Sequence, residues 1–248
     1  MFPIRDHNPS GRTPYVTWAL IAVNVAVFLL YWPFLTTELD TYRFFVTWGV
    51  VPDAVTRGIN WHTLLTSMFL HGGWMHLAGN MLFLWIFGDN MEDAFGHTGF
   101  LGFYLCAGLA AAGLQIAADP GSPIPMVGAS GAIAGVLGGY LLLYPRARVD
   151  VLIILIIFFR VLPVPAWVML GLWFAFQIVG GLNTPSDAGG VAYWAHAGGF
   201  LAGLALTVPG WLRRGGPRYW TRTHGAPPHP EAAYPLVRSS VPTVRRRR

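Results

Sequence analysis

Long apolar segments constrain this chain more than any other feature of its sequence. A transmembrane helix needs about 20 mostly apolar residues, and several segments of the 248-residue chain approach this length. Only 11% of the residues are charged and 54% are hydrophobic, whereas a soluble domain carries about 25% charged residues. The sequence therefore predicts an all-α polytopic membrane protein, a bundle of six transmembrane helices at residues 15–34, 73–88, 99–118, 126–144, 164–182 and 191–212.

This pattern divides the chain into three parts. Residues 1–14 are predicted to be a short cytoplasmic segment, residues 15–212 the membrane domain, and residues 213–248 a disordered cytoplasmic tail that ends in four arginines. One stretch, 151–159, is apolar but would extend over only about 14 Å as a helix. It is therefore expected to be a short strand or hairpin at the membrane interface, or the front of a broken fifth helix.

The arginines predict how the helices are oriented. They concentrate before the first helix, after the fourth and after the sixth, which places both termini in the cytoplasm. This distribution fits a lipid bilayer better than a nucleic-acid partner. The expected location is the bacterial cytoplasmic membrane, as an integral multi-pass protein. In this topology the second, fourth and sixth helices all run from the outer to the inner surface.

Polar residues lie in the first turns of these three helices. Ionisable groups within membrane spans are expensive and by default indicate function. Ser130 begins the fourth helix, and a serine needs a base such as His196 to become a nucleophile. His76 and Asn80 share one face of the second helix and can donate hydrogen bonds to a developing oxyanion. The common depth predicts one acyl-transfer site with a Ser-His dyad, since no carboxylate is placed to orient the histidine.

Each of these residues also has an alternative interpretation. Small residues, serine included, commonly line helix contacts in membranes, and His196 lies beside the small-residue seam 199–203. A zinc site of His71, His76 and His196 is disfavoured because no carboxylate accompanies them and the spacing is not H-E-x-x-H. A small-solute transporter would be expected to contain internal repeats, and the sequence shows no convincing one. The acidic residue Glu92, at the inner end of the second helix, is interpreted as structural.

Taken together, the motifs resemble those of the rhomboid family of intramembrane serine proteases. Three motifs carry the resemblance: His71-x4-His76-x3-Asn80, Gly128-Ala129-Ser130-Gly131 and Ala195-His196-x2-Gly199-x3-Gly203. The resemblance implies a six-helix core, hydrolysis of peptide bonds in or beside transmembrane helices of substrate proteins, and neither cofactor nor metal. The alternative within the family is an inactive membrane protein that binds transmembrane helices without cutting them.

The same resemblance implies roles for individual residues. Ser130 would be the nucleophile and His196 the base, and the oxyanion hole would consist of His76, Asn80 and the Ser130 backbone N–H. The remaining motif residues are assigned to substrate binding and packing, with His71 expected at the entrance: Gly128, Ala129, His71 and Gly199.

Two expectations concern the surroundings of His196. Some family members carry an aromatic residue one turn after the serine, stacked on the catalytic histidine, but this sequence has Ala134 there. The orientation of His196 is therefore expected to come from Trp194 or from the second helix. The fifth helix is expected to carry no catalytic group and to form a lateral gate against the second helix, with Trp173 and Phe174 as its bulky residues.

Overall fold

The computed structural model describes residues 2–155, 158–184 and 190–226, and the fold is mostly helical. Short 3-10 turns lie at Trp32–Phe34 and Ser67–Phe69. The helices and strands follow in this order: β1 (Phe2–Asp6), α1 (Tyr15–Tyr31), α2 (Glu38–Trp48), α3 (Pro52–Thr56), α4 (Thr63–Thr66), α5 (Trp74–Phe95), α6 (His97–Ala118), α7 (Ser130–Leu143), β2 (Arg148–Leu155), β3 (Phe158–Pro165), α8 (Ala166–Asn183), α9 (Tyr193–Arg213) and α10 (Pro217–Thr223).

Within the described ranges, three helical segments are long and apolar enough to cross a membrane. They are Tyr15–Phe34, His97–Ala118 and Ala166–Asn183. Helix α7 is apolar but has only 14 residues. Helices α5 and α9 are long enough, at 22 and 21 residues, but they are less apolar than the three segments above. Their first turns carry the polar residues on which the predicted site depends.

A three-stranded antiparallel sheet lies beside the helices, in the order β1-β2-β3. The β2–β3 hairpin occupies the ambiguous apolar stretch, whose β-branched residues favour a pleated, half-buried surface. The strand or hairpin expected as one alternative for this stretch is therefore confirmed, whereas the broader prediction of an all-α fold does not hold for the sheet. The first strand comes from the N-terminal segment, and Arg5 pairs with Asp150 in the register and donates a 2.7 Å hydrogen bond to its carboxylate.

The residues around the end of β1 anchor this segment beneath the helices. The Asn8 side-chain amide donates to the Tyr140 hydroxyl, which in turn donates to Asp6 at 2.8 Å. Asn90 of α5 donates to the Asn8 carbonyl at 2.8 Å. Burial raises the pKa of Asp6 to about 7. The predicted N-terminal segment is thus part of the folded structure.

Glu92 joins the start of α1 to α5. The first N–H groups of a helix have no acceptor within the helix, and Pro14 provides no side-chain cap for α1. The buried Glu92 carboxylate accepts from the backbone N–H groups of Val16 and Thr17 at 2.9 and 2.8 Å, and from the Thr17 hydroxyl at 2.7 Å. His97 lies 2.5 Å from the same carboxylate. These contacts agree with the structural interpretation of Glu92.

Helices α7 and α9 pack backbone against backbone. A Cβ atom built on Gly199 would overlap the carbonyl oxygen of Gly131, and one built on Gly203 would overlap the α7 backbone one turn further on. Only glycine permits this approach at both positions, as in other membrane helix pairs with small residues at the contact. The contact brings the start of α7, with Ser130, beside the first turn of α9, with His196.

The predicted disordered tail is partly ordered. Helix α9 continues to Arg213, and α10 follows it. Tyr219 is buried, and the Trp220 indole donates a 2.8 Å hydrogen bond to the Leu142 carbonyl at the end of α7. The prediction of disorder is therefore wrong for these residues, and the rest of the predicted tail, 227–248, lies outside the described residues.

Candidate active site

Ser130 and His196 lie within hydrogen-bond distance of each other. Ser130 is the first residue of α7 and His196 the fourth residue of α9. The distance from the Ser130 Oγ to the His196 Nε2 is 2.9 Å, and both side chains are half-buried. This is the spacing at which an imidazole can accept a hydroxyl proton.

His76 presents its outer ring nitrogen to the same point. Its Nδ1 accepts a 3.2 Å hydrogen bond from the Gly72 backbone N–H, so the neutral ring carries its proton on Nε2. A Cβ atom built on Gly128 would lie 2.8 Å from this Nε2 and 3.3 Å from the Ser130 Oγ. The His76 N–H and the Ser130 hydroxyl therefore converge beside Gly128.

Asn80 lies one helical turn after His76 and lines the same cavity. The side chain is 8% exposed, and its Nδ2 makes no hydrogen bond to any other described residue. Ser130, as the first residue of α7, adds one of the backbone N–H groups that a helix leaves without an internal acceptor. The start of a helix also favours negative charge. Ser130, His76 and Asn80 thus bring three donors of different kinds to one cavity.

The backbone before Ser130 adopts a conformation that glycine favours. Gly128 has φ +137°, in the region that side chains rarely adopt. Its N–H donates to the Ser67 carbonyl at 2.9 Å. Any side chain at Gly128 would also press on the His76 ring. The next residue, Ala129, is fully buried. The backbone of Gly128 and the buried Ala129 together hold Ser130 in position.

A cavity of about 780 Å³ opens over these groups. Its size falls within the range of about 300–1,000 Å³ that is common for ligand sites. Ser130, His196, His76 and Asn80 all contribute to its wall. The rest of the described wall is mainly apolar and aromatic, and includes Met75, Phe83, Met126, Val127, Trp173 and Tyr193. A mostly apolar space with a few converging polar groups is typical of a ligand or active site.

The sequence predicted His71 at the entrance of the cavity, but the structure places it elsewhere. It is fully buried, and its backbone is bonded to the Tyr31 hydroxyl, which accepts from the His71 N–H at 2.8 Å and donates to the His71 carbonyl at 2.7 Å. Its ring contacts the His76 ring edge-on, with the centroids 5.1 Å apart. In this position His71 supports His76 from behind. No group of three or more His, Cys, Asp or Glu residues comes close enough to hold a metal ion in the described part of the chain.

The side chain that contacts the His196 Nδ1 was not predicted from the sequence. The His196 Nδ1 lies 2.8 Å from the side-chain oxygen of Gln177, on α8. Trp194, the expected partner, lies against Gly181 instead. Ala134 is fully buried and lines the same cavity. A polar side chain within the apolar stretch 166–183 was the available signal.

The two aromatic residues proposed for the gate pack towards α9. The Trp173 ring lies 5.8 Å from the His196 ring and 6.1 Å from the Phe200 ring, measured between centroids. Phe174 stacks on Phe200 at 4.6 Å. Helix α8 therefore contacts His196 directly, through the Gln177 side chain and the Trp173 ring.

Comparison with known proteins matches this chain to a family. The family model for the Rhomboid domain matches residues 59–213, more than half of the chain. The chain belongs to the rhomboid family. The match covers helices α5 to α9, which include the helices that carry Ser130, His196, His76 and Asn80. Together with the apolar helices, it makes this chain an integral membrane protein.

Named rhomboid proteins from several organisms are similar to this chain. Rhomboid protein 1, mitochondrial, from Saccharomyces cerevisiae is 31% identical over 76% of this chain and 51% of its own length. Rhomboid protease GluP from Bacillus subtilis is 33% identical over 79% of this chain and 36% of its own length. Presenilin-associated rhomboid-like protein, mitochondrial, from Bos taurus is 29% identical over 54% of this chain and 34% of its own length. The chain thus matches about half or less of these relatives.

Proposed function

We propose that this rhomboid protein is a serine endopeptidase that cleaves peptide bonds in or near the transmembrane helices of substrate proteins. The observation that carries the proposal is the 2.9 Å contact between the Ser130 hydroxyl and the His196 imidazole at the wall of an apolar cavity. The printed name of the Bacillus subtilis relative, a rhomboid protease, agrees with it. No cofactor is needed for this chemistry.

The proposed reaction begins when the Ser130 Oγ attacks the scissile carbonyl carbon and its proton passes to the His196 Nε2. The carbonyl oxygen becomes an oxyanion, stabilised by the His76 Nε2–H, the Asn80 amide and the Ser130 backbone N–H. His196 then gives its proton to the leaving amine, and the C–N bond breaks. The acyl group remains on Ser130. A water molecule, deprotonated by His196, hydrolyses the ester and restores the hydroxyl.

The proposal includes a topology in which six helices cross the bilayer. These are α1, α5, α6, α7, α8 and α9, with both ends of the chain on the cytoplasmic side and the catalytic residues towards the other. In this arrangement a substrate helix enters sideways from the lipid. The apolar cavity wall then meets the apolar residues of the substrate, and the three donors meet its scissile carbonyl.

The direct test uses purified protein in detergent or proteoliposomes with a single-span substrate protein. The wild type should release two defined fragments. Ser130→Ala and His196→Ala should each abolish the cleavage, and the double variant should be no worse than either, because the two residues act as one unit. Ser10→Ala, at a half-buried serine outside the site, provides the matched control and should cleave like the wild type.

A fluorophosphonate probe separates this proposal from its alternative, a rhomboid-like protein that binds transmembrane helices without cutting them. An activated serine should react with the probe in the wild type and in Ser10→Ala, and the label should disappear in Ser130→Ala. Substrate binding without fragments and without labelling of Ser130 would instead establish the binding protein.

A further inference from the structure

Gln177 is a buried amide on a helix that is otherwise almost wholly apolar. It lies in the middle of α8 and is 8% exposed. A buried polar group without partners is costly, especially within a membrane. Gln177 uses both ends of its amide, because the nitrogen donates to the Trp173 carbonyl at 3.0 Å and the oxygen lies 2.8 Å from the His196 Nδ1.

These two contacts determine which atom of Gln177 meets the histidine. The Trp173 carbonyl can only accept, so the nitrogen of the Gln177 amide must face it. The oxygen therefore faces His196, and an amide oxygen can also only accept. The His196 Nδ1 must then carry the proton in the neutral ring, which leaves Nε2 with its lone pair directed at the Ser130 hydroxyl.

From this geometry we infer that Gln177 is a positioning residue for catalysis, holding His196 in the tautomer and orientation that accept the Ser130 proton. It takes the place that a carboxylate occupies in a Ser-His-Asp triad, but as a neutral group it adds no buried charge. When His196 becomes an imidazolium during the reaction, the same amide oxygen accepts from its Nδ1–H. The catalytic role of Gln177 rests on the proposed function, whereas the assignment of the His196 tautomer follows from the hydrogen bonds alone.

The position of Gln177 on α8 has a consequence for substrate entry. Trp173, one turn earlier on the same helix, lies against the His196 ring. Helix α8 thus holds the imidazole by a hydrogen bond and by a ring contact. If α8 moves aside to admit a substrate helix, both contacts loosen and the base is no longer oriented. Cleavage would then require α8 to return to its place, so entry and chemistry occur in separate conformations.

The test replaces Gln177 and uses Asn183 as the matched control. Asn183 lies on the same helix, and its side-chain amide donates to the Val179 carbonyl four residues earlier, as Gln177 does to Trp173. Gln177→Leu should lower kcat by about 10²-fold, the order expected when a reacting group is displaced by about 1 Å, with little change in KM. Asn183→Leu loses the same kind of backbone bond but should keep the wild-type rate.

Conservative variants show whether the acceptor atom matters. Gln177→Glu keeps an oxygen at the same reach and should recover most of the rate lost in Gln177→Leu. Gln177→Asn keeps the amide but is shorter by one methylene, so it should remain slow. This pair also decides the matter if Gln177→Leu does not fold. Equal rates for the Glu and Asn variants, or a Gln177→Leu rate equal to that of Asn183→Leu, would overturn the inference.

The tautomer can be measured without any cleavage. In protein labelled with ¹⁵N-histidine, the His196 signals, assigned by their loss in His196→Ala, should show a protonated Nδ1 and an unprotonated Nε2. In Gln177→Leu the signals should move towards a mixture of the two tautomers. A wild-type His196 protonated on Nε2 would refute the role of Gln177 even if Ser130-dependent cleavage is found. Conversely, if Ser130→Ala cleaves like the wild type, the proposed function fails while the tautomer result stands.

Discussion

Gly199 provides a test of whether helix packing sets the distance between the two reacting groups. A Cβ atom at this position would overlap the carbonyl oxygen of Gly131. The obstacle is backbone, which cannot rotate away as a side chain can. In Gly199→Ala, helices α7 and α9 must therefore move apart. The nearest groups to this contact are Ser130 at the start of α7 and His196 one turn before Gly199.

The size of the effect follows from the overlap. The helices must separate by about 1 Å before the new methyl group and the carbonyl oxygen reach a tolerable distance, and overpacking of this kind costs about 1–3 kcal/mol. The same displacement would stretch the 2.9 Å contact between Ser130 and His196 beyond the length of a hydrogen bond. A misplacement of about 1 Å typically lowers the rate about 10²-fold. Activity should therefore fall much more than the fraction of folded protein.

The assay compares kcat for a transmembrane substrate with the thermal unfolding midpoint in the same detergent. Gly113→Ala is the control, because a Cβ atom on this α6 glycine would have no neighbour within 4 Å. It should change neither quantity appreciably. If Gly199→Ala turned over substrate as fast as Gly113→Ala, the close packing of α7 and α9 would not be what positions the dyad, and this reasoning would be refuted.

Three further predictions concern the oxyanion hole, the gate and the N-terminal strand. Asn80→Ala should lower kcat by about 10²–10³-fold; a loss of stability with an unchanged rate per folded molecule would instead make Asn80 structural. Phe174→Ala removes the ring stacked on Phe200 and should speed the cleavage of a transmembrane substrate but not of a short soluble peptide, whereas equal acceleration of both would contradict a gate. The pKa of Asp6 is raised from 3.8 for the free side chain to about 7 in the folded protein, so the folded state binds the proton more tightly than the unfolded state. Protonated Asp6 therefore stabilises the folded state fully below about pH 4, and this stabilisation is lost as the pH rises towards 7. Thermal unfolding midpoints of the wild type should therefore fall over this pH range, and those of Asp6→Asn should fall less; parallel curves would show that Asp6 is not responsible.

The central residues of the candidate site could be predicted from the sequence because they stand out against their surroundings. Ser130 and His196 are polar groups in apolar segments, and a common helix direction placed them at one depth. The glycines that follow them predicted the close helix contact. Gln177 was not predicted, because an uncharged amide in an apolar helix is a weaker signal than an ionisable group. The role of Gln177 depends on the side chain of α9 that it contacts, and the sequence alone does not show which one this is.

The errors in the predicted fold come from contacts between distant parts of the chain. Nothing in the five residues of β1 indicates a strand until β2 is available to pair with it. The apolar run at 151–159 left strand and helix open, and its pairing with β1 and β3 decides between them. His71 was expected at the entrance because it lies five residues before His76. Its burial depends instead on the Tyr31 hydroxyl, 40 positions earlier in the chain.

The sheet has a consequence for how the chain is assembled during synthesis. Arg5 and its partner Asp150 are separated by 145 positions, so β1 emerges from the ribosome long before the strand with which it pairs. At about 5–20 residues per second, the delay is roughly 7–30 s. During this time α1, α5, α6 and α7 are all synthesised, while the hydrogen-bonding groups of β1 have no strand with which to pair. Pairing of β1 with β2 is then a late event, and it can occur only after the helix that carries Ser130 has been made.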